Sequence, residues 1–340
     1  MVESPEMEPD RTRSGFSLRS LLMRATTWLL AGGCFYLVFG KIQDAANRDG
    51  LSVVEYLSRF FADANWQLWL ALMIPYSVFF FLVDSHATWR VVRWFNAPNF
   101  TFTRMLPIRA SAYILSLVNE QVGKGAITLY LWRRHAVPAW QALSSMVLLG
   151  MMEVYQLLLF SAIGTAIYFD LVEKASSLLP LNQILISVFV FAAIYFPLHL
   201  AYFSGSLLPN LKLREIQIFR AFRQARLVHY CLIILFKAPN LIAAVLVYTM
   251  ALSLFNVDVS FGQMLVFLPV IFLAAALPLP FHAGALLLWT VLFPDYPEIG
   301  VFSLIMHTFF VLFNAAIGLL FLPLANRELF SASTDEPDQT

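Results

Sequence analysis

MLPIRASAYILSLVNEQVGKGAITLYL, residues 105–131, and MLVFLPVIFLAAALPLPFHAGALLLWTVLF, residues 264–293, are apolar stretches broken near their midpoints by polar or turn-forming residues. Two full membrane crossings need about 40 residues at a rise of about 1.5 Å each. Stretches of 27 and 30 residues therefore read as pairs of short helices meeting at a tip inside a membrane. They occupy matching places in the two halves of the chain. Interrupted hydrophobic segments in corresponding positions of two halves are the best sequence pointer to a transporter's binding site.

The surrounding composition fits that reading. The 340-residue chain is 60% hydrophobic and 13% charged, with mean hydropathy +0.72. This is far too apolar for a soluble globular protein. A net charge of +1 gives no pull toward nucleic acid. Cys34 and Cys231 both lie in apolar runs and read as small buried hydrophobes, with no disulfide or zinc spacing. No cofactor and no metal is expected.

Six segments read as full spans: 22–40, 66–83, 139–168, 181–204, 228–255 and 300–323. Arg11, Arg13, Arg19 and Arg24 precede the first, which resembles an uncleaved signal-anchor. Residues 51–62 have helical apolar spacing, with Glu55 and Arg59 four apart, and read as an amphipathic helix on the membrane surface. The expected organisation is a cytoplasmic tail over 1–21, one transmembrane domain over 22–323, and a disordered tail over 324–340. The first half of the domain is 22–168, and the inverted second half is 181–323.

Lys and Arg in short loops set orientation. With the N-terminus inside, residues 84–104 (Arg90, Arg93, Arg104), 132–138 (Arg133, Arg134) and 205–227 (Lys212, Arg214, Arg220, Arg223, Arg226) all fall on the cytoplasmic side. Asp170, Glu173, Lys174, Asp258, Asp295 and Glu298 fall outside, and both termini lie inside. The pattern is span, span, re-entrant hairpin, span, taken twice with opposite sense. The fold class is therefore all-α: a polytopic membrane protein with about six full spans and two re-entrant hairpins in an inverted repeat.

The first hairpin's tip is Asn119-Glu120-Gln121-Val122-Gly123-Lys124-Gly125. Glycines flanking a lysine at a helix start suit an anion, and Arg109 and Lys124 are candidates to hold phosphate. Glu120 either pairs with Lys124 or meets a cationic headgroup. A solvated charge pair on an interfacial loop is the plainer reading of the same residues. Glu153 and Lys237 each sit deep in an apolar span. Ionisable residues there are costly and face a partner or a cavity. The pair is either a structural ion pair or part of a substrate path, and Pro239 is expected to kink the helix beside Lys237. The second tip, Pro278 to Gly284, has His282 as its one titratable side chain. His199 and His307 lie in apolar runs without metal-ligand spacing, and Asn314 is placed to hydrogen-bond across helices. No GxSxG, HExxH, GxGxxG or P-loop pattern occurs, so no enzyme class is indicated.

The stretch from Ser111 to Leu159, with Asn119, Gly123, Arg133, Arg134, Ala142 and Glu153, resembles the lysylphosphatidylglycerol synthase transmembrane-region family, the flippase-like domain. The run from Pro278 to Pro323 looks like that family's Pro/Gly-rich tip and final span. The resemblance implies a flippase in a bacterial-type inner (plasma) membrane, without the soluble aminoacyl-transfer domain of the full synthases. The family's Gly-Glu tip stands here as Gly123-Lys124-Gly125, and its second, acid-bearing tip carries His282 without the acid.

These readings lead to one expectation. The chain moves an anionic phospholipid-type lipid, or a lipid-linked headgroup, between leaflets, with Asn119, Glu120, Glu153, Lys237 and His282 completing a path begun by Arg109 and Lys124. Its partners are membrane lipids with a phosphate-bearing headgroup, and a partner membrane enzyme or a homo-oligomer, but not nucleic acid. The alternative is an accessory subunit that presents lipid to a separate enzyme. An intramembrane transferase is disfavoured because no nucleophile–base pair converges.

Overall fold

The computed structural model describes residues 18–116, 120–176, 180–275, 279 and 282–330. The described residues are helical throughout their ordered elements and contain no strand. Among the described residues, six helices are long and apolar enough to cross a membrane, and all six coincide with the expected spans. They belong to α1 (Leu18–Arg48), α3 (Trp66–Phe95), α6 (Ala139–Ile167), α8 (Leu181–Ser204), α10 (Leu227–Ser253) and α13 (Ile299–Phe330). The surface helix is α2 (Val53–Ala62), started by a reciprocal Ser52–Glu55 capping box. Two short helices, α7 (Phe169–Ala175) and α9 (Arg220–Gln224), fill connections.

Each interrupted stretch is a pair of short helices. The first is α4 (Phe102–Ser116) followed by α5 (Glu120–His135), and the second is α11 (Phe261–Ala275) followed by α12 (Ala283–Leu292). The arms of each pair pack on one another. The Phe100 ring, just before α4, lies 5.2 Å from His135 at the end of α5. Phe267 of α11 meets Phe293, just past α12, at 5.7 Å.

Several expected boundaries move. Asp84, expected to open a loop, lies inside α3, because helical burial continues through Ser85, Thr88, Val91, Val92 and Phe95. Residues Glu120 to Gly125, expected as a non-helical tip, form the first turns of α5, and Asn119 lies outside the described residues. Glycine weakens a helix by about 1 kcal/mol without forbidding one, and no proline interrupts this segment. α10 runs unbroken through Pro239. Cys231 is exposed and Cys34 half-exposed, so neither is the core residue expected. The last helix extends to Phe330, beyond the expected tail boundary, and residues 331–340 lie outside the described set.

The packing joins the two halves in matching pairs. α4 packs on α13 and α11 packs on α6, so the first arm of each interrupted pair docks on the last span of the other half. α3 packs on α4 as α10 packs on α11, α5 on α6 as α12 on α13, and α3 and α10 cross at the centre. The two cross-half contacts are made close by glycine. A Cβ on Gly164 of α6 would lie 2.9 Å from the Leu265 carbonyl oxygen and from the Val266 Cα, and one on Gly318 of α13 would lie 2.7 Å from the Ala110 oxygen. Small residues are what let helix backbones approach so closely in an apolar medium. α8, by contrast, sits at the periphery and leaves most of its surface exposed.

Basic side chains are concentrated at one end of the bundle. Asn96 at the end of α3 donates to the Gln141 carbonyl of α6, and Ser144 accepts from the Ala221 amide of α9. These contacts gather Arg90, Arg93, Arg133, Arg134 and the 212–226 segment at one end. At the other end the Asn65 amide donates to the Leu254 carbonyl, and Tyr56 of α2 donates to Glu298 at 2.7 Å. Asp63, Asp258 and Glu298 belong to that end.

Candidate functional site

Four helices deliver one charged side chain each to a single buried network. Asp84 of α3 is 2% exposed and Lys237 of α10 is 7% exposed. Asp84 Oδ2 accepts from Arg109 Nε of α4 at 2.6 Å and from the Tyr113 hydroxyl at 2.9 Å. Its other oxygen accepts from Lys237 Nζ at 2.7 Å. Lys237 Nζ also donates to Glu153 of α6. A carboxylate with three donors and an ammonium between two carboxylates are well satisfied in hydrogen-bonding terms. The network sums to zero, with two carboxylates facing two cations. Desolvation makes such a pair a weak source of net stability, yet removing one partner costs about 3–5 kcal/mol because the other charge is stranded.

The network forms one wall of a cavity of about 470 Å³ lined by residues of α3, α4, α6, α10, α11, α12 and α13. Aromatic rings make up much of the remaining wall, with Tyr248 and Trp289 stacked at 6.0 Å and Tyr76 edge-on to Phe310 at 5.4 Å. His282 and His307 also line the cavity, with ring centroids 4.2 Å apart. His282 adopts the left-handed conformation (φ 51°, ψ 38°) just before α12, and its Nδ1 lies 2.8 Å from the Ala275 carbonyl oxygen at the end of α11. That bond ties the two arms together across their tip. Three cavity-lining amides retain an atom without a partner among the described residues: Gln156 Nε2, Asn240 Oδ1 and Asn314 Oδ1.

Of the residues singled out from sequence, Arg109, Glu153, Lys237 and His282 all reach this cavity. Arg109, expected on a phosphate, is engaged by Asp84. Glu120 and Lys124 lie on α5 with side chains outside the described set, as does the whole of Asn119. His199 is a core residue, buried and 3.2 Å from the Tyr230 hydroxyl. Sequence reasoning missed Asp84, Tyr113 and Gln156. Gln156 stands three residues after Glu153 on the same helix, which places both on one face. Among the described residues no cluster of three His, Cys, Asp or Glu side chains is placed to hold a metal ion.

No protein-family model, curated protein or solved structure matches the chain.

Proposed function

We propose that the protein carries lipid headgroups between membrane leaflets through the cavity between its two halves. The observation that carries this reading is the cavity itself: a largely apolar and aromatic chamber of about 470 Å³ with four paired charges on one wall, inside a bundle of apolar helices. Ionisable groups among spanning helices usually mark a substrate or ion path. A bundle of purely structural helices has no need of amide atoms without partners at a cavity wall.

The matched packing of α4 on α13 and α11 on α6 supports an inverted repeat, and the closeness of each pair's outer ends supports two re-entrant hairpins. In that arrangement the hairpins enter from opposite ends of the bundle and their tips approach the cavity, as in transporters that bind substrate near the midplane. Rocking of one half against the other would open the cavity to each leaflet in turn while acyl chains stay in the bilayer. The basic end is cytoplasmic by the positive-inside rule, which puts both termini inside a plasma-type membrane. The resemblance to the flippase-like family points to the same activity.

Purified protein reconstituted in liposomes, with fluorescent lipids of several headgroups on one leaflet, tests the proposal. Exchange above that of protein-free liposomes is expected for at least one headgroup. Exchange equal to the protein-free rate for every headgroup contradicts it.

A further inference from the structure

The four charges at the cavity wall already satisfy one another: Asp84 holds Arg109 and Lys237, and Lys237 also holds Glu153. The two carboxylates and two cations sum to zero, so this wall offers an anionic group no net counter-charge. Apart from the outer nitrogens of Arg109, the hydrogen-bonding capacity left over is uncharged. Gln156 is 5% exposed and its Nε2 is a donor without a partner, while Asn240 is 7% exposed and its Oδ1 is an acceptor without one. Asn314 offers a second buried acceptor. At His282 the Ala275 carbonyl can only accept, so Nδ1 donates in that bond. Uncharged donors and acceptors in one chamber match hydroxyl groups, which both donate and accept. The stacked Tyr248 and Trp289 rings supply a flat apolar surface of the kind the C–H face of a sugar ring covers.

Resting on the lipid-transport reading above, we propose that the headgroup this cavity takes is an uncharged, hydroxyl-rich ring of the glycosyl type, held by the amides of Gln156, Asn240 and Asn314. The ion network is then the scaffold that fixes α3, α4, α6 and α10 around the ring, and its charges stay paired during transport.

Three cargoes in proteoliposomes test this: fluorescent glucosyl diacylglycerol, fluorescent phosphatidic acid with the same chains, and entrapped free glucose. The glycolipid is expected to exchange at least about tenfold faster than phosphatidic acid, since a site built to bond hydroxyls rejects a group lacking them. Gln156→Leu, which leaves the ion network and every observed hydrogen bond in place, is expected to slow the glycolipid about tenfold through loss of one buried bond. Phosphatidic acid moving as fast as the glycolipid, or an unchanged glycolipid rate in Gln156→Leu, overturns the hydroxyl assignment and leaves lipid transport standing. Release of glucose without exchange of either lipid overturns lipid transport and reassigns the cavity to a free sugar. No movement of any cargo overturns both.

Discussion

Lys237 and Asp84 lie 153 residues apart in the chain and 2.7 Å apart in space. They belong to α10 and α3, the central spans of the two halves. Their contact pins those halves together beside the cavity, with Arg109 and Glu153 closing the network on either side.

Asp84→Ala strands Arg109 and Lys237 together. It is expected to destabilise the protein by about 3–5 kcal/mol. Replacing Asp84 and Lys237 together by Leu and Met removes both the carboxylate and one cation, and is expected to cost less than the sum of the two single changes by about 0.5–3 kcal/mol. Equilibrium unfolding in detergent measures both. Additive single and double effects contradict the pairing.

Much of this was legible in the chain, for physical reasons that also explain what was not. A span of 20 apolar residues announces itself, and an ionised group inside one stands out, which is why Glu153 and Lys237 were found. Asp84 was hidden because hydropathy alone ends an apolar run at its first charge, although the buried stripe Ser77, Phe81, Asp84, Thr88 continues at helical spacing. Gln156 was hidden because a neutral amide barely lowers local hydropathy. The docking of α4 on α13 joins segments some two hundred residues apart, and nothing local in either segment records it. The Gly123-Lys124-Gly125 run suggested a loop, yet glycine permits a turn without enforcing one, and the helix prevails.

Gly164 and Gly318 sit where the halves touch. Gly164→Ala meets backbone atoms of α11 at 2.9 Å and is expected to cost about 1–3 kcal/mol, the usual range for overpacking. Gly318→Ala meets the Ala110 backbone oxygen at 2.7 Å as well as the Ile114 side chain, so its cost should be at least as large as that of Gly164→Ala. Gly33→Ala on α1 has nothing within 4 Å and is expected to be neutral or stabilising by up to about 1 kcal/mol. Thermal unfolding of the three variants side by side checks the order.

The docking of α2 should depend on pH with two opposite signs. Burial, aided by Asp49, holds the Glu298 carboxyl above its ordinary range, whereas the Ser52 hydrogen bonds hold that of Glu55 below it. A raised folded-state value means stability present below the ordinary value of 4.5 and lost as pH rises through the raised one. A lowered value means stability present above 4.5 and lost as pH falls through the lowered one. Hydrogen exchange over residues 53–62 should therefore show protection falling on both sides of a maximum. Glu298→Gln should remove the loss on the alkaline side alone, and Glu55→Gln the loss on the acid side alone.

Orientation is testable with single cysteines on a background lacking Cys34 and Cys231. A cysteine at Ser206 should react with an impermeant maleimide only from the cytoplasmic side, and one at Ser260 only from the opposite side. Labelling of both from the same face contradicts a membrane crossing by α10.

The most direct test of transport through the cavity is leaflet exchange by wild-type protein beside Ser303→Trp, which adds a large ring at the cavity wall on α13, a helix that carries none of the four paired charges. Wild-type protein should exchange labelled lipid, and folded Ser303→Trp should fall at least about tenfold, toward the protein-free rate, because the headgroup's space is filled. Wild-type rates in the filled variant would contradict passage through this chamber.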